Sequence, residues 1–304
     1  RDYAVTGVQT CALPIYKILL NKGVGYSDGK FYQLTLPIIN EFDFHTSNLA
    51  KVVVALPELL NKSLDEKGLI KKGSLKGVYQ VVNEEFSQNS VFYLLDKIKS
   101  YSLPNPTLKD IGPFGPYVPG ADILLNTDMG TEPADFIISS ASKLIYVHVK
   151  CGDSSKPQSS AGALAEVGSQ AIKNIEMLLT HNQMLKPGNW NQLSSPWPSS
   201  VAKLQMFERI RLAGGTRYTA SSDAAREAKL DEIWETISQR RRSSAVTKEI
   251  WIVAANSFSL KDFSTQLKAG SLARSETLQA YQLINSWISI ANNNDVDLKI
   301  FVSP

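Results

Sequence analysis

Thr131–Cys151, TEPADFIISSASKLIYVHVKC, decides how the rest of this chain is read. Two short apolar runs, ADFIISS and KLIYVHVKC, flank the turn sequence SASK, which predicts two strands joined by a tight connection. A strand sends alternate side chains to opposite faces, so His148 and Lys150 share one face while Val147 and Val149 take the other. Upstream, ADILLNTD (Ala121–Asp128) reads as a further buried strand. Downstream, Ser159–Leu179 carries Leu164, Val167, Ala171, Ile175 and Leu178 at helical spacing, with Ser160 as a candidate cap. EIWIVAA (Glu249–Ala255), SETLQAYQLINSWISIA (Ser275–Ala291) and DLKIFVS (Asp297–Ser303) continue the pattern as strand, helix and strand. Three strands, a helix, a strand, a helix and a strand predict an α/β fold with helices packed on a mixed sheet.

Away from this core the pattern is weaker. Between Tyr16 and about Glu66, KFYQLTLPII and AKVVVALPELL read as strands, with a short helix or turn after Pro57. Gly77–Ile98 has helix-like apolar spacing, and the Pro/Gly-rich connector SLPNPTLKDIGPFGPYVPG follows it. A polar segment at about 186–245, which includes the charged helix DAAREAKLDEIWETISQ, reads as an insertion. The boundaries expected are 16–110 for an N-terminal α/β part and 111–304 for the main domain with its insertion.

Residues 1–15 read differently. VTGVQTCALPI (Val5–Ile15) back-translates without a break into the priming region of a sequencing adapter, and Arg1–Ala4 fit the adapter bases before it. The segment is therefore expected to be translated library DNA with no specific packing. Without an initiator Met before Tyr16, further natural sequence is expected upstream. Cys11 lies in the adapter segment, so Cys151 remains the sole thiol of the rest, which excludes an internal disulfide and a Cys-rich zinc site. That usage suits a reducing cytoplasm. With 43% hydrophobic and 20% charged residues the chain belongs to the ordinary globular class, and its apolar runs fall short of the roughly 20 residues of a membrane span. A net charge of +3 permits a nucleic-acid partner without demanding one.

The chemistry concentrates around the opening stretch. Asp135 sits on the strand next to His148 and Lys150, with Glu132 and Asp128 just upstream. Carboxylates, a His and a Lys would then meet at one sheet edge. Carboxylate oxygens suit a hard divalent cation, and the lysine is left to orient or activate water.

At these residues the chain resembles the PD-(D/E)xK nuclease superfamily, with its restriction-endonuclease-like fold. The resemblance covers roughly Ala121–Leu179 plus the later strand and helix. It implies that Asp135 is a metal ligand and Lys150 the catalytic lysine, and that His148 stands where an Asp or Glu is usual. Gln170 resembles the helical glutamine of the RecB-like branch, while Asn174 stands where that branch has Tyr. The implied metal set is Asp135, Glu132 and His148, the implied cofactor Mg²⁺ or Mn²⁺, and the implied partner DNA. The phrase from ADFI to the helix also looks like a C-terminal domain of bacterial DEAD/DEAH-box helicase-like proteins, which implies a helicase-like region upstream and a role in defence or repair.

Two outcomes stay open at His148. A neutral imidazole adds no negative charge and favours softer ions than Mg²⁺. Either Glu132 replaces the missing carboxylate in a metal-dependent DNA endonuclease, or His148 is a core residue of a non-catalytic nucleic-acid-binding or scaffold domain. Other candidates compete with plainer readings. Glu84 and Glu85 could add an acid or lie on a solvated face. Gln170 and Lys173, on one polar stripe with Glu166, could reach a phosphate. Arg240, Arg241 and Arg242 could contact DNA phosphates or simply complement a helix C-terminus. His45 and His181 have no evident partners, and Cys151 should point away from the site as packing. The sequence has no Ser-His-Asp pattern, Gly-rich phosphate loop or zinc spacing.

Overall fold

In a computed structural model, residues 24–27, 30–33, 49–68, 70–71, 79–80, 86–101, 107–130, 132–179, 186–197 and 208–304 are described. Residues 1–15, His45, Glu84, Glu85 and His181 lie outside them. Two small antiparallel pairs, β1 (Val24–Ser27) with β2 (Lys30–Gln33) and β4 (Ile70–Lys71) with β5 (Tyr79–Gln80), stand outside the main sheet.

The main sheet has eight strands, which are β3 (Val53–Ala55), β6 (Ala121–Asn126), β7 (Phe136–Ser140), β8 (Lys143–Cys151), β9 (Ile210–Ala213), β10 (Thr216–Arg217), β11 (Thr247–Ser259) and β12 (Val296–Ser303). Their spatial order is β10-β9-β6-β7-β8-β11-β12-β3. Pairings from β10 through β8 are antiparallel, and those from β8 through β3 are parallel. The parallel half needs crossovers, and the helices supply them. These are α4 (Ala161–Lys173) and α5 (Ile175–Leu179) after β8, then α7 (Leu260–Lys268) and α8 (Ser275–Asn293) between β11 and β12. The other α-helices among the described residues are α1 (Leu49–Val52), α2 (Val91–Asp96), α3 (Leu108–Ile111) and α6 (Asp223–Arg242). Among the described residues no helix is long and apolar enough to cross a membrane.

Alternation along β8 splits the interior into two cores. Leu144 and Tyr146 face Leu164, Val167, Ala171, Ile175 and Leu178, all buried, while Glu166 and Lys173 are exposed, as the helical spacing predicts. Ile145, Val147 and Val149 face an aromatic layer that includes Phe86, Phe92, Phe136 and Trp197. Burying whole aromatic and branched side chains contributes roughly 1.5–3 kcal/mol each, so both faces stabilise the sheet. α4 and α8 approach closely at Gly168, where an added Cβ would lie 2.1 Å from the Trp287 ring. Only glycine allows that approach.

The segments flanking and interrupting this core also contribute to it. Within the segment expected as an insertion, β9 pairs with β6, and α6 buries Leu230, Ile233, Trp234 and Ile237 in the main core. The segment's polar composition reflects an α6 that keeps one apolar stripe and a charged outer surface. Some described residues before 111 join it as well. β3 pairs with β12, and Val91, Phe92 and Leu95 of α2 enter the second core. Within the stretch expected to be helical, the described residues form a helix only at Val91–Asp96, where the Ser90 hydroxyl accepts the Tyr93 N–H at 3.1 Å. Tyr79–Gln80 is strand instead.

Candidate metal centre

The β6–β7 connection is held by a dense set of local bonds. The Thr127 N–H donates to the Asp135 carbonyl at 2.8 Å, and its hydroxyl donates to the Ala134 carbonyl at 2.5 Å. Asn126 Oδ1 accepts the Asp128 N–H at 3.0 Å, and Arg209 donates to the Asp128 carbonyl at 2.8 Å. Glu132 accepts the Met129 N–H at 3.1 Å. From the end of α4, Asn174 Nδ2 donates to the carbonyls of Pro133 (3.0 Å) and Glu132 (3.4 Å). Where the resemblance has Tyr, this chain therefore has a side chain that ties the acidic turn to the helix.

This framework brings one carboxylate oxygen each of Asp128, Glu132 and Asp135 within 4.8 Å of one another, all three residues being half-buried. Asp135 Oδ2 also accepts the Val149 N–H at 2.8 Å, which anchors it to β8. Burial, and then the charge of Asp128, push the Asp135 carboxyl up to about 8, although the Val149 N–H and Lys67 oppose the shift. Like charges crowded in a partly dry site produce this pattern, and a cation relieves it. Three carboxylates with no thiolate or imidazole are hard donors, suited to Mg²⁺, Mn²⁺ or Ca²⁺.

A second segment completes the site. Glu66 accepts the Cys151 N–H at 3.4 Å, and Lys67 Nζ lies 2.7 Å from both Asp128 oxygens. Trp197 Nε1 donates to Asp128 Oδ2 at 3.0 Å. Burial raises the Glu66 pKa against the charges of Lys67 and Lys150. Burial disfavours the charge on Lys67, but Asp128 more than offsets this and its pKa is raised. The sequence reading missed both residues. SLDEKG has neither apolar periodicity nor ligand spacing, and it reaches the site only because its turn docks on α2. Its one usable signal was an acid and a base side by side.

The expected residues divide. Asp135 and Glu132 are in the acidic cluster, joined by Asp128. His148 is not. It shares the face of Tyr146 but is only 3% exposed, its Nε2 has no hydrogen-bond partner, and burial pushes its pKa down to about 4. Of the residues expected to hold a metal, Glu132 and Asp135 come together with Asp128, while the His148 side chain lies inside the core and outside that group. Lys150 lies at the end of β8 with Nζ 2.9 Å from Glu166 Oε1, and this hydrogen bond raises its pKa. The charges of Glu66 and Asp135 also act on it. Gln170 and Lys173 are exposed on α4.

Two of the three arginines expected at DNA are engaged within the fold. Arg240 pairs with Asp122 at 2.6 Å and donates to Ser139 Oγ at 2.9 Å. Arg241 is 5% exposed and lies 5.8 Å from the Trp234 ring centre. Arg242 is exposed. Helical rotation, invisible in a run of three identical residues, separates them. Cys151 packs against the second core as expected, and burial followed by nearby acids pushes its thiol up to about 12. The chain matches no family model, no curated protein and no solved structure.

Proposed function

We propose that this chain carries a metal-dependent phosphodiesterase site of the PD-(D/E)xK type, acting on DNA. The observation that carries the reading is the convergence of Asp128, Glu132 and Asp135 within 4.8 Å, with Lys150 on the strand next to Asp135. The order of the central strands supports it. In antiparallel β6-β7-β8, followed by the crossover helix α4 and parallel β11, Asp135 and Lys150 fall on or beside neighbouring strands ahead of a helix.

Asp128, Glu132 and Asp135 would hold the cation. When bound, Mg²⁺ or Mn²⁺ supplies Lewis-acid polarisation of a phosphoryl oxygen and of the attacking water. The chain's own residues do the rest. The Lys150 ammonium exchanges Glu166 for a non-bridging phosphate oxygen and places positive charge where negative charge develops. Asn174 keeps the acidic turn on α4, so the carboxylates do not drift apart as substrate docks. Asp135→Ala should abolish cleavage of plasmid or single-stranded DNA in Mg²⁺ or Mn²⁺. Lys150→Ala should slow it by about 100-fold or more while metal binding persists.

A second reading is a nuclease-like domain that binds nucleic acid or serves as a scaffold without cutting. It draws on His148, a neutral core residue where the resemblance expects an acid. DNA binding by wild type without nicking in either metal would select it. A link to a helicase-like region rests on the resemblance alone, and sequencing the gene upstream of Tyr16 tests it.

A further inference from the structure

We infer that Lys67 is a built-in counter-ion of the acidic cluster, which an incoming divalent cation must displace from Asp128. The inference rests on the metal-site reading above and concerns how that site is regulated. Lys67 Nζ is 2.7 Å from both Asp128 oxygens, and Trp197 donates to one of them at 3.0 Å. The Asp128 carboxylate is thereby engaged on both oxygens.

This pair differs from a loose surface contact. The Asp128 side chain is 13% exposed and that of Lys67 31%. The turn carrying Lys67 is docked on α2 and its approach. Val91 N–H donates to Asp65 O at 2.9 Å, Phe92 N–H to Glu66 O at 3.1 Å, and Asp65 N–H to Asn89 O at 2.8 Å. Within the turn, Asp65 Oδ1 and Oδ2 accept the N–H groups of Glu66 (2.8 Å) and Gly68 (3.1 Å). The ammonium also lies 5.7 Å from the Phe92 ring centre. The docked turn fixes where the Lys67 side chain starts, and the pair is less exposed to solvent than a surface one, so it is stronger than an exposed ion pair. The positive charge of Lys67 offsets part of the repulsion between Asp128 and its acidic neighbours. A divalent cation that takes Asp128 as a ligand loses affinity to this competitor by simple linkage. Lys67 is partly exposed, so the ammonium has solvent or a substrate phosphate to move to.

Mn²⁺ binding, followed by the electron paramagnetic resonance signal of free Mn²⁺, tests this without reference to activity. Lys67→Met should tighten binding about tenfold or more, and Lys67→Arg, which keeps the charge, should stay close to wild type. In wild-type protein, reductive methylation of Lys67, read by mass spectrometry, should accelerate at saturating Mn²⁺. That measurement holds even if the methionine variant does not fold. Unchanged or weaker Mn²⁺ binding in Lys67→Met overturns the inference and leaves the metal site standing, as does an unchanged methylation rate. No Mn²⁺ binding by wild type or Lys67→Met overturns the metal-site reading and the inference together.

Discussion

Replacing His148 by Asp restores the acid that the resemblance expects, yet the structure predicts damage rather than repair. The imidazole is 3% exposed with Nε2 unpaired, and its pKa falls from 6.5 to about 4 because burial penalises the charged form. That shift is a local measure of what a charge costs here. At 1.36 kcal/mol per pH unit it comes to about 3 kcal/mol. Above pH 6.5 the wild-type residue is neutral both folded and unfolded, so it adds no pH dependence. Below 6.5 the unfolded chain takes up the proton and the folded one does not, so stability falls until about pH 4. His148→Gln should flatten that slope. In His148→Asp the sign reverses, since a buried carboxyl has a raised folded pKa. The variant should be about 3 kcal/mol less stable than His148→Gln at pH 7 and should recover as pH is lowered towards 4. Urea unfolding from pH 4.5 to 7.5, followed by tryptophan fluorescence, reads both slopes. A His148→Asp protein as stable as wild type at pH 7, with tighter Mn²⁺ binding, would refute the reasoning and place residue 148 at the metal.

Other changes test the frame that carries the site. Gly168→Ala forces a methyl into the Trp287 ring, 2.1 Å from the ideal Cβ position, and should cost about 1–3 kcal/mol in urea unfolding at unchanged secondary structure; a neutral effect would mean that α4 and α8 part without cost. Asp96 is 3% exposed and receives two hydrogen bonds from Arg211 at 2.8 and 3.0 Å, so Asp96→Ala should cost about 3 kcal/mol or more by leaving a buried guanidinium without its carboxylate. A loss below 1 kcal/mol by the same assay would show that the pair is dispensable.

The central strands and α4 were legible in the sequence because each carries one strong period. β8 alternates between two cores, and α4 repeats every three to four residues on one face. Asp135, Glu132 and Lys150 were legible for the same reason, since they lie on or beside those elements. A sheet position fixes which face a side chain takes. It does not fix how deep the side chain sits, and depth decided His148. The imidazole shares the predicted face but lies in the core, whereas Asp128, two residues past the end of β6, lies with Glu132 and Asp135.

What the sequence determined by itself was local. It set which runs become strand or helix and which side each residue presents. The tertiary structure alone decided the rest. It joined Lys67 to Asp128 and Glu66 to the Cys151 N–H, and set Arg240 on Asp122 and Arg241 under Trp234. It also placed β9 and β10 at one edge of the main sheet. Periodicity is carried by neighbours along the chain. Long-range pairing depends on which surfaces can be desolvated together, and that is settled only when the whole core closes.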